Sequence, residues 1–127
     1  MNFVFDNDRP IYIQLVELLK LYIVSGNLKP GERLPSVRDF SVQIQVNPNT
    51  IQKALVELEN IKLIYTERTN GKFVTTDKQL INDIKKQLAM KKVQTYLSDM
   101  EKLGISNIDA IKYLQEIGGK ENGITRM

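Results

Sequence analysis

Between residues 47 and 53 the chain reads Asn-Pro-Asn-Thr-Ile-Gln-Lys. Asn47, Asn49, Thr50, Gln52 and Lys53 supply amides, a hydroxyl and an amine, and no acid follows until Glu57. A carboxamide donates and accepts at once, as base edges require, and an ammonium meets phosphate oxygens. On the first turns of a helix these groups suit a groove lined with donors, acceptors and phosphates. A generic solvated helix face would mix Glu with Lys instead. Two further groups belong with them: Ser36 and Arg38 upstream, and Arg68, Asn70, Gly71 and Lys72 downstream.

Three helices and a hairpin are predicted to carry these residues. The first helix spans about residues 10–25, with Asp8 as cap, Pro10 in the first turn and Gly26 as the stop. Its polar stripe, Gln14, Glu17 and Lys20, is narrow, so its wide apolar arc needs cover from two sides. Residues 27–35 form a turn-rich connector with Pro-Gly punctuation. Ser36, three residues before Asp39, opens a second helix over 37–44 with Val37, Phe40 and Ile44 inward. Gln45-Val46 makes a turn. Asn47 then caps a third helix running to about residue 60, with Pro48 first and Ile51, Ala54, Leu55 and Leu58 as its core stripe. Asn49, Gln52, Lys53, Val56 and Asn60 fall on the opposite face. Residues 63–68 and 72–76 read as strands around Thr69-Asn70-Gly71, a strong hairpin signal. Alternation within the returning strand places Phe73 inward. A hairpin after a third helix makes a winged helix-turn-helix.

Composition narrows the function. With 42% apolar and 26% charged residues, a packed fold is expected rather than disorder. No apolar run reaches the roughly 20 residues of a membrane span, and the N-terminus lacks signal-peptide features. The chain has no cysteine and no histidine, which removes thiolate and imidazole chemistry, and a cytoplasmic protein is expected. No nucleophile arrangement, phosphate-cradling glycine loop or metal-ligand cluster is found, so neither catalysis nor a cofactor or metal is expected. Residues 1–76 hold nine Lys+Arg against eight Asp+Glu, a balance of +1. The distribution is more telling, because Lys29, Arg33, Arg38 and Lys53 share a window whose only acids are Glu32 and Asp39.

At Asp77 the composition shifts. Residues 78–103 lack Gly and Pro and read as one long helix, stopped by Gly104. Its apolar positions run from Leu80, Ile81 and Ile84 through Leu97 and Met100. Ser106, with Asp109 three residues on, begins a last helix that Gly118-Gly119 is expected to end, before a frayed tail. Two such helices cannot bury their stripes alone. The predicted architecture is mostly α with a small β wing: a winged helix-turn-helix DNA-binding domain over 1–76, then a short two-helix dimerisation segment over 77–127.

Three segments together resemble a known family: Pro10-Ile-Tyr-Ile-Gln14, Ser25 to Arg38, and Val46-Asn-Pro-Asn-Thr-Ile-Gln-Lys-Ala54. They are similar to the GntR family of bacterial transcription regulators, and the short C-terminal part looks like its YtrA-type branch. The resemblance implies a homodimer on a palindromic operator in double-stranded DNA. It implies that Arg38 contacts DNA near the start of the recognition helix. It also implies that Asn47, Asn49, Thr50, Gln52 and Lys53 face the groove and that the wing from Arg68 to Lys72 approaches the minor groove. Lys62 stands where a glycine usually precedes the wing strand, and Thr69 where the wing often has its first glycine. Any small-molecule effector would sit between helices or at the dimer interface, because too few residues follow the wing for an enclosed ligand domain. The rival is a winged helix used for protein–protein contact without DNA readout, but such domains usually lose the basic and amide face kept here. RNA binding would call for exposed aromatics.

Overall fold

The computed structural model describes residues 3–122. The elements run α1 (Ile11–Val24), α2 (Val37–Ile44), α3 (Pro48–Asn60), β1 (Ile64–Glu67), β2 (Gly71–Val74), α4 (Lys78–Lys102) and α5 (Asn107–Asn122). The chain divides into two compact units, one through Lys85 and one from Lys86, so the boundary falls inside α4.

In the first unit α1 packs across α3, and α3 also meets α2 and β1. Leu15, Leu19, Phe40, Ile51, Ala54, Leu55, Leu58 and Leu63 are fully buried between them. Burying each large apolar side chain is worth about 1.5–3 kcal/mol, so this interface sets the fold. The stripe expected on α3 is therefore its core face. Phe40 anchors α2, while Val37 and Ile44 are half-buried.

The start of α1 departs from expectation. Pro10 occupies the cap position, and no side chain, Asp8 included, caps the helix. Gln14 organises this end instead. Its amide nitrogen donates to the carbonyls of Asp6 (2.9 Å) and Arg9 (2.8 Å), and its Oε1 accepts from the Asp6 N–H (2.8 Å). Gln14 is buried, so the polar stripe reduces to Glu17 and Lys20. A buried amide with its hydrogen bonds made fixes the incoming chain at little desolvation cost. Arg9 adds an exposed ion pair to Glu17 at 3.0 Å. The wide apolar arc is only partly covered: Ile11 and Leu21 are 42% and 50% exposed.

α2 begins as expected, with Ser36 Oγ accepting from the Asp39 N–H at 3.1 Å. It ends at Gln45 in the left-handed region (φ 55°), which turns the chain sharply into α3. Asn47 Oδ1 accepts from the Asn49 N–H at 2.8 Å to open α3, with Pro48 first.

The hairpin pairs Ile64 with Val74, Tyr65 with Phe73, Thr66 with Lys72 and Glu67 with Gly71. Its loop is therefore Arg68-Thr69-Asn70, and only Gly71 takes a positive φ (+100°) at this tip. Thr69 sits in ordinary backbone, so a glycine there is not required. Lys62 does adopt a left-handed φ of 66°, the conformation that the usual glycine supplies without strain. Phe73 is not inward. Ile64 and Val74 are buried on one face, and Phe73 lies on the other, half-buried and stacked on Tyr65 at 5.7 Å. The connector also does more than turn, because residues 31–34 pair along the free edge of β2.

α4 is capped by Asp77, whose Oδ1 accepts from the Leu80 N–H (3.1 Å). Its Ile81 and Ile84 are buried. In the second unit, α4 stops at Gly104 (φ +81°), with the Ile105 N–H reaching the Met100 carbonyl at 2.9 Å. Ser106 Oγ accepts from the Asp109 N–H at 3.2 Å to open α5. Tyr96 donates its hydroxyl to the Ala110 carbonyl (2.7 Å) and ties the two helices together. α5 does not end at Gly118-Gly119 but continues to Asn122, because two glycines weaken a helix without breaking its hydrogen bonds. The expected frayed tail lies mostly outside the described residues. Leu103, Ile108 and Ile117 are 73%, 70% and 66% exposed.

Candidate nucleic-acid interface

One helix holds most of the polar set because its other face is held by the core. Ile51, Ala54, Leu55 and Leu58 fix the rotation of α3, which leaves Asn49, Gln52 and Lys53 exposed on the far side and Thr50 half-buried. The 3.6-residue period makes these outcomes inseparable. α2 presents Arg38, exposed and without an ion pair among the described residues.

Lys53 is more ordered than an exposed lysine need be. Its Nζ stands 3.9 Å from the centre of the Tyr12 ring, a cation–π contact from α1 to α3. Tyr12 stands in the segment 10–14 that carries the resemblance, but not among the candidate site residues read from sequence. No local pattern marks the contact, since it joins Tyr12 on α1 to Lys53 on α3, 41 positions later. Ser36 and Asn47 are exposed, and their oxygens cap α2 and α3. They shape the turn, and their exposed helix starts present backbone N–H groups of the kind that meet anions.

The wing holds the remaining residues. Arg68 is exposed at the loop. Asn70 bonds back to Glu67, through its N–H to the carbonyl (3.2 Å) and its amide to Oε2 (3.0 Å). Lys72 faces α3 rather than the loop. Its Nζ donates to Glu59 Oε1 at 2.6 Å and to Thr66 Oγ1 at 2.9 Å, and the Thr66 hydroxyl donates to Glu59 Oε2 at 2.9 Å. The Lys72 hydrogen bond is the main reason the Glu59 carboxyl is held below its ordinary range; partial burial opposes it and Thr66 assists. Any contact from Lys72 to a phosphate competes with this ion pair. The structure thus brings Asn49, Gln52 and Lys53 onto one exposed helix face and gives Lys72 an internal partner.

An open groove of about 530 Å³ runs beside α2, lined by residues including Tyr22, Glu32, Arg33, Ser36, Asp39 and Gln43. Among the described residues no cluster of carboxylates could hold a metal ion, and no helix is long and apolar enough to cross a membrane.

Residues 11–74 match the family described as bacterial regulatory proteins, gntR family. The HTH-type transcriptional repressor YtrA of Bacillus subtilis (strain 168) is 32% identical over 119 residues, covering 89% of this chain and 92% of that protein. A GntR family transcriptional regulator from Listeria monocytogenes superposes with a TM-score of 0.82 at 38% identity, covering 88% of this chain and 98% of that one. The AraR DNA-binding domain in complex with operator ORX1 superposes at 0.53 and 25% identity, over 59% of this chain and 95% of that one.

Proposed function

The chain belongs to the GntR family of bacterial regulatory proteins, and on that premise we propose that it is a sequence-specific DNA-binding transcriptional regulator. The observation that carries this reading is the exposed Asn49–Gln52–Lys53 face, locked outward by a fully buried stripe on the same helix. AraR, a structural relative, was captured on its operator through its DNA-binding domain. In this chain α3 enters the major groove. Asn49 and Gln52 read base edges, Lys53 and Thr50 meet bases or phosphate, and Arg38 contacts the backbone beside them. The N-terminal turns of α2 and α3, built by Ser36 and Asn47, add backbone donors to phosphates. The wing, with Arg68, Asn70 and Gly71, lies against the adjacent minor groove, and Lys72 joins it only by leaving Glu59.

The protein acts in the cytoplasm as a homodimer on a palindromic operator, with residues 1–76 reading DNA and residues 77–127 assembling the dimer. Support for the dimer comes from apolar surface left uncovered in each unit: Ile11 and Leu21 on α1, and Leu103, Ile108 and Ile117 in the second unit. Repression is the favoured outcome, in line with the YtrA relative's name.

The test is selection of duplexes by the full-length protein from a random-sequence pool, followed by gel shifts across a salt series. Enrichment of an inverted repeat with strongly salt-dependent affinity is expected. No enrichment, with affinity indifferent to salt, refutes the DNA reading and favours a protein–protein module.

A further inference from the structure

The connector before α2 gives the wing a cation that belongs to neither strand. Residues 31–34 run along β2: the Gly31 N–H donates to the Val74 carbonyl (2.9 Å), the Val74 N–H to the Glu32 carbonyl (2.8 Å), and the Leu34 N–H to the Lys72 carbonyl (2.8 Å). Arg33 is thereby placed opposite Phe73. Its guanidinium lies along Gly71, where an added Cβ would stand 3.4 Å from Nε and 3.5 Å from a terminal nitrogen. Gly71 closes the wing tip with its φ of +100°, and the arginine lies within van der Waals reach of it.

Arg33 is exposed and makes no ion pair among the described residues. The acids nearest in the chain leave it so. Glu32 Oε1 accepts from the Lys29 N–H at 2.9 Å, and Asp39 lines the groove beside Arg33 without pairing with it. Lys72, the cation on strand β2 itself, is held by Glu59 at 2.6 Å. Beside β2 there is thus one engaged cation and one that, among the described residues, has no carboxylate partner.

We propose that Arg33 is a phosphate-binding residue of the wing, presented to duplex DNA from the connector and held in position by Gly71 and the pairing with β2. The assignment rests on the DNA-binding reading above. A guanidinium suits a phosphate because its planar fork offers two parallel donors, and a side chain already laid along the backbone loses less freedom on binding.

The experiment uses the full-length protein and the duplex the wild type selects, with affinity measured over a salt series and melting followed in parallel. Arg33→Gln is expected to lower affinity about tenfold and to flatten the dependence of log affinity on log salt by about 1 per protomer. Arg33→Lys keeps the charge and should retain the slope, with part of the affinity lost. Lys102→Gln, at an exposed lysine of α4 outside the proposed binding set, should leave the slope unchanged. An unaltered slope in Arg33→Gln overturns the assignment. If affinity falls without a change of slope, or the variant melts below the assay temperature, Arg33 only shapes the wing. Wild-type binding with an unaltered Arg33→Gln sinks this inference alone; failure of the wild type to select any duplex removes the DNA-binding reading as well.

Discussion

Lys72 offers a test in which stability and DNA binding separate. Lys72→Met keeps the aliphatic stem and removes the ammonium that joins β2 to α3. The pair is partly sheltered, with side-chain exposures of 18% for Lys72 and 31% for Glu59. Exposed ion pairs contribute about 0.2–1 kcal/mol, and hydrogen bonds to charged groups about 1.5–3. Water still reaches the orphaned Glu59 carboxylate, which retains its bond from Thr66, so a loss of about 1–2 kcal/mol is expected. For a chain of this size that corresponds to a fall in melting temperature of roughly 4–8 °C. The pH dependence has a definite sign. Lys72 holds the Glu59 carboxyl below its ordinary value of 4.5, so the stabilisation is complete above that value and is lost as pH falls through the lower folded-state value. Thermal melts of the two proteins at equal concentration should therefore differ most near neutral pH and converge in acid as pH falls through the lowered Glu59 value. Glu59→Gln should remove most of the same gap. On DNA, Lys72→Met should keep the wild-type salt slope. A slope reduced by about 1 per protomer, with melting nearly unchanged, would show that Lys72 leaves Glu59 for phosphate, and the structural argument would fail.

Four further outcomes follow from named residues. Asn49→Ala and Lys53→Ala should each cost about 1–3 kcal/mol on the selected duplex, Asn49→Ala barely changing the melting temperature and Lys53→Ala losing only the roughly 0.5–1 kcal/mol of its contact with Tyr12; a larger thermal loss would mean their face is not free. Because Tyr12 orders Lys53, Tyr12→Phe should bind DNA like wild type and Tyr12→Leu should weaken binding, with no additional loss once Lys53 is alanine in a double-mutant cycle. Leu97→Glu should weaken self-association more than Lys92→Glu in sedimentation over a concentration series, and a monomer at tens of micromolar in the wild type would end the dimer proposal. Lys62→Gly should relieve left-handed strain and raise stability by about 0.5–1 kcal/mol; a destabilised variant would show that the lysine side chain itself contributes there.

Much of the fold could be read along the chain because its signals are local. The caps at Ser36, Asn47 and Ser106 depend on residues two or three positions apart, and the stripe of α3 on a period of 3.6, so each was available to spacing alone. The same periodicity made the outward face of Asn49, Gln52 and Lys53 a consequence of the core. Tertiary structure decided the contacts between segments far apart in sequence. Gln14 looked like part of a solvated stripe until the chain before α1 folded back to meet it. Phe73 obeyed strand alternation, but which face is inward depends on what packs against the sheet, and Val74 took that side. Lys72 became an anchor because α3 brings Glu59 to it, and Arg33 joined the wing because the connector adds to the edge of β2. Sequence patterning determines which groups an element can offer; the packing of one element on another determines which of those groups are still available to bind.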